Sequence, residues 1–122
     1  MKKIYMFDFD GTVFDEYNEE FLPLLKVLKK AVDMDSVTTY IITARRNPEP
    51  VKRYLKAEGI SVGVFALGDP DKKAKFIKTL LNKSTYDQAV FFDDREATVK
   101  MVRDENISNL KVYFIKDNRI FI

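Results

Sequence analysis

The sequence predicts an α/β fold, namely a single-domain, Rossmann-like three-layer sandwich with helices on both faces of a five-stranded, mostly parallel sheet. The first observation is that apolar segments rich in β-branched and aromatic residues alternate with amphipathic helical segments, as in parallel sheets. The second is that the strand segments are nearly continuous apolar runs, as burial on both faces requires. The third is the length of 122 residues, which predicts one domain over residues 1–122.

The strand segments are recognised by their apolar, β-branched and aromatic character. The first contains KIYMFDF and is followed by Asp10 and a Gly-Thr turn, and the second is VTTYIIT. The five predicted strands are 2–9, 37–43, 61–67, 88–94 and 110–115. The tail at 116–122, KDNRIFI, could add a short edge strand.

The helical segments are recognised by their apolar spacing and by their end signals. Asn18 is a candidate cap for the first helix, prolines open the second and Gly59 ends it, and Asp69 is a candidate cap for the third. Apolar residues recur at helical spacing in the first and third helices (Phe21, Leu24, Leu25, Leu28 and Val32; Phe76, Ile77, Leu80 and Leu81). The four predicted helices are 18–32, 48–59, 69–83 and 96–106.

The composition excludes several kinds of chemistry. The chain has no Cys and no His, so cysteine nucleophiles, histidine bases, thiolate zinc sites and histidine metal ligands are excluded. A metal would have to accept oxygen ligands, which favours Mg²⁺. The formal net charge of +2 does not by itself indicate nucleic acid or a membrane. No apolar run reaches the roughly 18 residues of a membrane span, and a cytoplasmic protein without a membrane partner is expected.

Polar residues follow four of the predicted strands, at the sheet edge where parallel sheets bind ligands. Asp8 lies near the end of strand 1 and Asp10 follows that strand, Asp69 comes after strand 3, and the pair Asp93 and Asp94 ends strand 4. Strand 2 ends at Thr43, and three arginines come after strand ends (Arg45, Arg46 and Arg95). A single Asp or Thr at a strand end is typical of caps and turns. The stretch DFDGT at 8–12 is more specific, because two acids at one strand tip repel each other unless a cation or a proton joins them.

These motifs resemble those of the haloacid dehalogenase superfamily of phosphatases. YMFDFDGTV matches the first motif of that family, YIITAR with Thr43 the second, a lysine within DKKAKFI the third, and AVFFDD the fourth. The third motif is ambiguous among Lys72, Lys73 and Lys75, and its spacing from Phe76 and Ile77 favours Lys73. The resemblance extends roughly over residues 3–115.

The resemblance implies an Mg²⁺-dependent phosphatase that forms an aspartyl-phosphate. Asp8 is then nucleophile and metal ligand, while Asp10 is the acid/base and ligates through its backbone carbonyl. Asp94 is expected to contact the metal directly, with Asp93 positioning it or a bound water. Thr43 and Lys73 would hold the phosphoryl oxygens. Gly11 and Thr12 would form the turn beside the substrate.

The chain has no room for the cap domain of many family members. Thr12 and Thr43 are 31 residues apart, and Thr43 and Lys73 are 30 apart. TARR and DDRE resemble the capless 3′-phosphatase domain of polynucleotide kinase/phosphatases. This resemblance implies a phosphorylated macromolecule as substrate, such as a polynucleotide 3′ end, with Arg45, Arg46 and Arg95 beside the opening to contact further phosphates. The oligomeric state is open.

Three alternatives stay open at the level of the sequence. The enzyme could hydrolyse a small phosphomonoester, with an oligomeric partner as its lid. The chain could be a receiver-type signalling domain, with Asp69 as phosphoacceptor and Lys116 as its partner. It could also be an inactive relative that only binds phosphate.

Overall fold

A computed structural model describes residues 1–15, 23–117 and 119–122 of the chain. It is an α/β structure with one mostly parallel sheet. The strands are β1 (Lys3–Phe7), β2 (Val37–Thr43), β3 (Gly63–Ala66), β4 (Gln88–Asp93), β5 (Leu110–Lys116) and β6 (Arg119–Phe121). The helices are α1 (Pro23–Val32), α2 (Glu49–Ala57), α3 (Lys73–Asn82) and α4 (Glu96–Asp104), with a short 3₁₀ helix at Pro70–Lys72.

The strands lie in the order β3-β2-β1-β4-β5-β6. The chain moves outward from β1 to β3 and then crosses back to place β4 on the other side of β1. The strand order therefore reverses between β1 and β4, where an open parallel sheet leaves a crevice beyond the carboxyl ends of its strands.

The predicted number of five strands is wrong, because the tail forms a sixth. β6 pairs antiparallel with the end of β5, with Lys116 opposite Arg119. Asp117 permits this reversal by adopting a left-handed conformation with φ of 51°, which Asp tolerates better than most residues. β6 has only three residues, so its sequence pattern is too short to predict a strand firmly.

The two faces of the sheet carry separate apolar clusters, because neighbouring residues of a strand point to opposite faces. Met6 and Phe91 pack with helix residues such as Ile77 of α3 and Val102 of α4. On the other face, Phe7 and Phe92 pack with helix residues of α1 and α2, including Leu28 and Leu55. Helices thus cover both faces, and the carboxyl ends of the central strands are left for polar groups.

Several element ends differ from the predicted ones. β1 stops at Phe7 instead of residue 9, because the backbone N–H groups of Thr12, Val13 and Phe14 all donate to the Phe9 carbonyl and turn the chain. The third helix begins at Lys73, and Asp69 caps the 3₁₀ turn before it by accepting a hydrogen bond from the Asp71 backbone at 2.9 Å. The predicted start of the first helix, with Asn18 and Phe21, lies outside the described residues.

None of the helices in the described part of the chain is long and apolar enough to cross a membrane.

Candidate active site

The first and fourth motifs meet at the point where the strand order reverses. Asp8 directly follows β1, and its backbone N–H donates to the Phe92 carbonyl on β4 at 2.9 Å. Asp93 is the last residue of β4. The parallel register places the two strand ends side by side, with Phe7 opposite Phe92. Local sequence and topology together therefore bring both acid motifs to one crevice.

Three carboxylates form a cluster in this crevice. Asp8, Asp93 and Asp94 each offer one oxygen, and these oxygens all lie within 4.8 Å of one another. Asp8 is 5% exposed and Asp93 is fully buried, whereas Asp94 is exposed. The cluster thus has a buried side formed by Asp8 and Asp93 and an open side at Asp94.

Lys73 joins the two buried acids. Its ammonium group donates to Asp8 Oδ1 at 2.6 Å and to Asp93 Oδ2 at 2.9 Å. Lys73 is 2% exposed, while Lys72 and Lys75 are exposed. Of the three lysines that the sequence left open, Lys73 is therefore the one inside the cluster.

Burial and mutual repulsion perturb the acids. Burial raises the pKa of Asp8 to about 7, although the nearby Lys73 ammonium acts in the opposite direction. Burial, followed by repulsion from Asp8, raises the pKa of Asp93 to about 6. The pKa of Asp94 is also raised, mainly because its carboxyl group is partly shielded from water although the residue as a whole is exposed. Burial alone would lower the pKa of Lys73, but the carboxylates of Asp8 and Asp93 outweigh it and the pKa is raised.

Thr12 and Gly11 shape the turn after β1. The buried Thr12 hydroxyl donates to Asp8 Oδ2 at 3.2 Å, a local hydrogen bond within the turn. Gly11 has a φ of 76°, a conformation that glycine adopts without strain. A Cβ at this position would collide with the Asp94 carboxylate. Gly11 thus suits the turn, and its lack of a side chain leaves room for Asp94 at its observed position.

Thr43 ends β2 on the same edge of the sheet. It is 1% exposed, and its hydroxyl oxygen accepts a hydrogen bond from the Arg45 backbone at 3.2 Å. This contact holds the start of the loop that carries Arg45.

Asp10 lies outside the carboxylate cluster and is held by Arg45. The guanidinium donates from Nε to Asp10 Oδ2 at 2.8 Å and from Nη2 to Asp10 Oδ1 at 2.6 Å. It also lies over the rings of Phe9 and Phe14, 5.2 and 5.9 Å from their centroids. Arg45, predicted to bind substrate, is therefore in contact with the predicted acid/base.

Arg95 and Arg46, the other two arginines that follow strand ends, do not contact Asp10 in the described structure. The Arg95 side chain contacts Asp71 at 3.3 Å and Thr98 at 2.9 Å, while its backbone N–H donates to Asp93 at 2.9 Å. Arg46 is exposed, and its side chain lies against Gly68. The backbone of Arg95 therefore contacts the cluster, whereas the described contacts of its guanidinium are with Asp71 and Thr98.

Sequence reasoning missed the aromatic support of Arg45. Phe9 and Phe14 stack with centroids 5.1 Å apart, and Tyr54 of α2 packs edge-on against both at 5.5 and 4.9 Å. The alternation of DFDGTVF carried a weak signal, since both phenylalanines flank the turn. Nothing local indicated Tyr54, because its contact depends on how α2 packs.

The donor set suits a hard divalent cation. The three clustered carboxylates carry three negative charges when ionised, and Lys73 supplies one positive charge, which leaves two uncompensated. Carboxylate oxygens are the ligands that Mg²⁺ prefers. Asp8, Asp93 and Asp94 are therefore the residues that could hold such an ion, with the Asp10 carbonyl as a predicted further ligand.

Comparisons of the chain with protein-family models, curated proteins and solved structures find no match.

Proposed function

We propose that this protein is an Mg²⁺-dependent phosphatase of the haloacid dehalogenase type, with a capless, Rossmann-like domain. The observation that carries the proposal is the contact of Lys73 with both Asp8 and Asp93 in a buried carboxylate cluster. A nucleophilic carboxylate needs cations beside it to approach a phosphate dianion. The cluster combines a carboxylate that could serve as this nucleophile with an ammonium group and with oxygens that could bind a metal ion.

The reaction would proceed in two steps. Asp8 attacks phosphorus, an Asp8–phosphorus bond forms, and the bond to the leaving oxygen breaks while Asp10 gives that oxygen a proton. Water then attacks the aspartyl-phosphate, gives a proton to Asp10, and releases inorganic phosphate and free Asp8. Asp8, Asp93 and Asp94 would hold Mg²⁺, which would supply charge neutralisation for the attack of a carboxylate on a phosphate group. Lys73, which contacts the acids at the ends of β1 and β4, and Thr43, which ends β2, would stabilise the phosphoryl charge.

The direct test is turnover of a panel of phosphomonoesters with Mg²⁺ and with excess chelator. We expect activity only with Mg²⁺ and none in Asp8→Asn. Asp33→Asn is the matched control. Asp33 is exposed and lies between α1 and the start of β2, at the end of the sheet opposite the carboxylate cluster. Full activity in chelator, or in Asp8→Asn, would exclude this mechanism.

For the substrate, we propose a phosphorylated macromolecule such as a polynucleotide 3′ end. The support is the exposure of Asp10 and Asp94, which marks an open side of the cluster. A large substrate can cover an open site itself and exclude water. A small phosphomonoester is the second candidate, and the panel distinguishes the two.

The receiver-type alternative is less well supported. Such domains have the flavodoxin-like strand order 2-1-3-4-5, whereas β3 here lies at the edge of the sheet. Asp69 follows β3 and Lys116 ends β5, with three strands between β3 and β5. At about 4.8 Å per strand, these residues are too far apart to act as a pair. Labelling with acetyl phosphate should mark Asp8 and leave Asp69 unlabelled.

A further inference from the structure

The ion pair between Asp10 and Arg45 raises a mechanistic question. Both oxygens of the Asp10 carboxyl group accept hydrogen bonds from one guanidinium, at 2.8 and 2.6 Å. In the proposed reaction, one of these oxygens must carry a proton and deliver it to the leaving group. As long as the guanidinium fork is engaged, neither oxygen is free of Arg45. Each oxygen keeps a second lone pair, but opening the pair frees the whole carboxyl group to turn toward a leaving oxygen.

Contacts of Arg45 other than Asp10 would support its side chain during a short movement. Its guanidinium lies over the rings of Phe9 and Phe14, and a planar cation can slide over such faces while remaining attracted to them. The loop that carries it is fixed at its base, since the Arg45 backbone donates to the Thr43 hydroxyl. The side chains of Arg45 and Asp10 are 35% and 51% exposed, so an incoming anion can reach both.

We propose that Arg45 is a positioning residue that exchanges partners: it holds Asp10 in the substrate-free protein and transfers its guanidinium to a phosphate group when substrate binds. This inference rests on the proposed phosphatase function. A phosphate dianion offers the guanidinium the same two-oxygen recognition as a carboxylate, with more charge. The transfer releases Asp10 at the moment when a leaving oxygen needs its proton. Through Arg45, binding of the substrate is thereby linked to the release of Asp10 as the proton donor.

The exchange makes a specific prediction about inorganic phosphate, measured by calorimetry in the presence of Mg²⁺. In the wild type, phosphate must displace Asp10 from Arg45, so part of the binding free energy is used to break the pair. Asp10→Asn removes this competitor, and we expect phosphate to bind at least about threefold more tightly, within the coupling usual for contacting side chains. In the Arg45→Gln background, the same Asp10→Asn change should have no such effect.

The double-mutant cycle separates exchange from simple repulsion. If Asp10 only repels anions, removing it tightens phosphate binding whether Arg45 is present or not, and the exchange is overturned. Arg53→Gln is the charge-matched control, because Arg53 is an exposed cation of α2. In that background the gain from Asp10→Asn must persist. Circular dichroism and thermal unfolding check that each variant is folded, and Arg45→Lys, which keeps the charge but lacks the fork, should show a reduced gain.

Leaving-group dependence supplies a second readout. Arg45→Gln should lower kcat/KM for both nitrophenyl phosphate and an alkyl phosphate, because both require the phosphate contact. A loss confined to the alkyl phosphate would mean that Arg45 acts on Asp10 alone, which overturns the exchange. Phosphatase activity of the wild type is measured first. If the wild type turns over substrate and the phosphate cycle is additive, only the exchange fails; if it neither turns over substrate nor binds phosphate, the proposed function fails with it.

Discussion

The ammonium group of Lys73 lies 2.6 Å from Asp8 Oδ1, although the two residues are 65 positions apart in the chain. Its second partner, Asp93, accepts at 2.9 Å. Asp8 follows β1, Lys73 begins α3 and Asp93 ends β4, so the contact exists only when three elements are assembled. Buried charges of this kind are costly unless they are paired. Lys73 is therefore both the cation that makes the acids tolerable and the strongest candidate for contacting a phosphoryl group.

Replacing Lys73 tests this double role. Lys73→Met should lower the free energy of unfolding of the metal-free protein at pH 7 by about 3–5 kcal/mol, the usual result of leaving buried charges unpaired. It should also abolish phosphatase turnover. Lys75→Met is the control, because Lys75 is exposed two residues further along α3. Urea unfolding and steady-state kinetics measure the two effects, and equal losses in the two variants would contradict the assignment of Lys73.

The carboxylate cluster should make stability depend on pH when no metal is present. The folded-state pKa values of Asp8 and Asp93 are about 7 and about 6, above the ordinary value of 3.8. Between pH 4 and 7 the folded protein therefore binds more protons at these groups than the unfolded chain does. Their stabilising contribution is full below about pH 4 and is lost as the pH rises through 6 and 7. For each group, the free energy of unfolding falls by roughly 1.4 kcal/mol per pH unit between its unfolded and folded pKa.

Comparison with Asp8→Asn isolates this effect. The unfolding free energy of the wild type minus that of the variant should fall as the pH is raised from 4 to 8 in chelator. Mg²⁺ should reverse most of this fall, because a cation bound by the ionised acids replaces their protons. Urea titrations at four pH values, with and without Mg²⁺, are sufficient. A difference independent of pH would show that the pKa of Asp8 is not raised in the folded protein.

Gly11 provides a test of the Asp94 position. Gly11→Ala must place a Cβ where the Asp94 carboxylate lies, in a backbone conformation with φ of 76°. Gly59→Ala is a close control, since Gly59 has a φ of 75° but open space around the added carbon. Both variants should lose about 1 kcal/mol or more of stability from the left-handed conformation. Only Gly11→Ala should reduce the rise in Tm that Mg²⁺ produces, and equal reductions would mean that Asp94 is not a ligand.

The sequence predicted the class of the fold and the identity of the clustered acids, because both depend on local patterns. Apolar strand runs predict parallel strands, and the tips of β1 and β4 carry their acids in sequence. The choice of Lys73 over Lys72 and Lys75 needed the orientation of α3, which spacing only favoured. The contact between Asp10 and Arg45 depends on the packing of the loop after β2 against Phe9 and Phe14, and local sequence does not encode it.

The substrate prediction concerns the open side of the site, where Asp10 and Asp94 are exposed. No described residue forms a lid over this side, and a site that stays open cannot enclose a small substrate or recover much binding energy from its remote parts. A polynucleotide can cover the site itself and add contacts to further phosphates. We therefore expect kcat/KM for an oligonucleotide with a 3′-phosphate to exceed that for a 3′-mononucleotide by at least about tenfold, or ~1.4 kcal/mol of transition-state binding.

Two comparisons test whether the higher kcat/KM of the oligonucleotide comes from recognition of a nucleic-acid end: low against high salt, and a 3′-phosphate against a 5′-phosphate. The advantage should shrink as salt is added, because phosphate contacts release counterions. Arg46 is an exposed cation beside the turn at Gly68, and Arg46→Gln should reduce the advantage without changing kcat/KM for the mononucleotide. An oligonucleotide with a 5′-phosphate has the same charge and serves as the control for polarity. Equal efficiencies for the oligonucleotide and the mononucleotide, or a preference for a small sugar phosphate, would reject the polynucleotide substrate while leaving the phosphatase reaction itself in place.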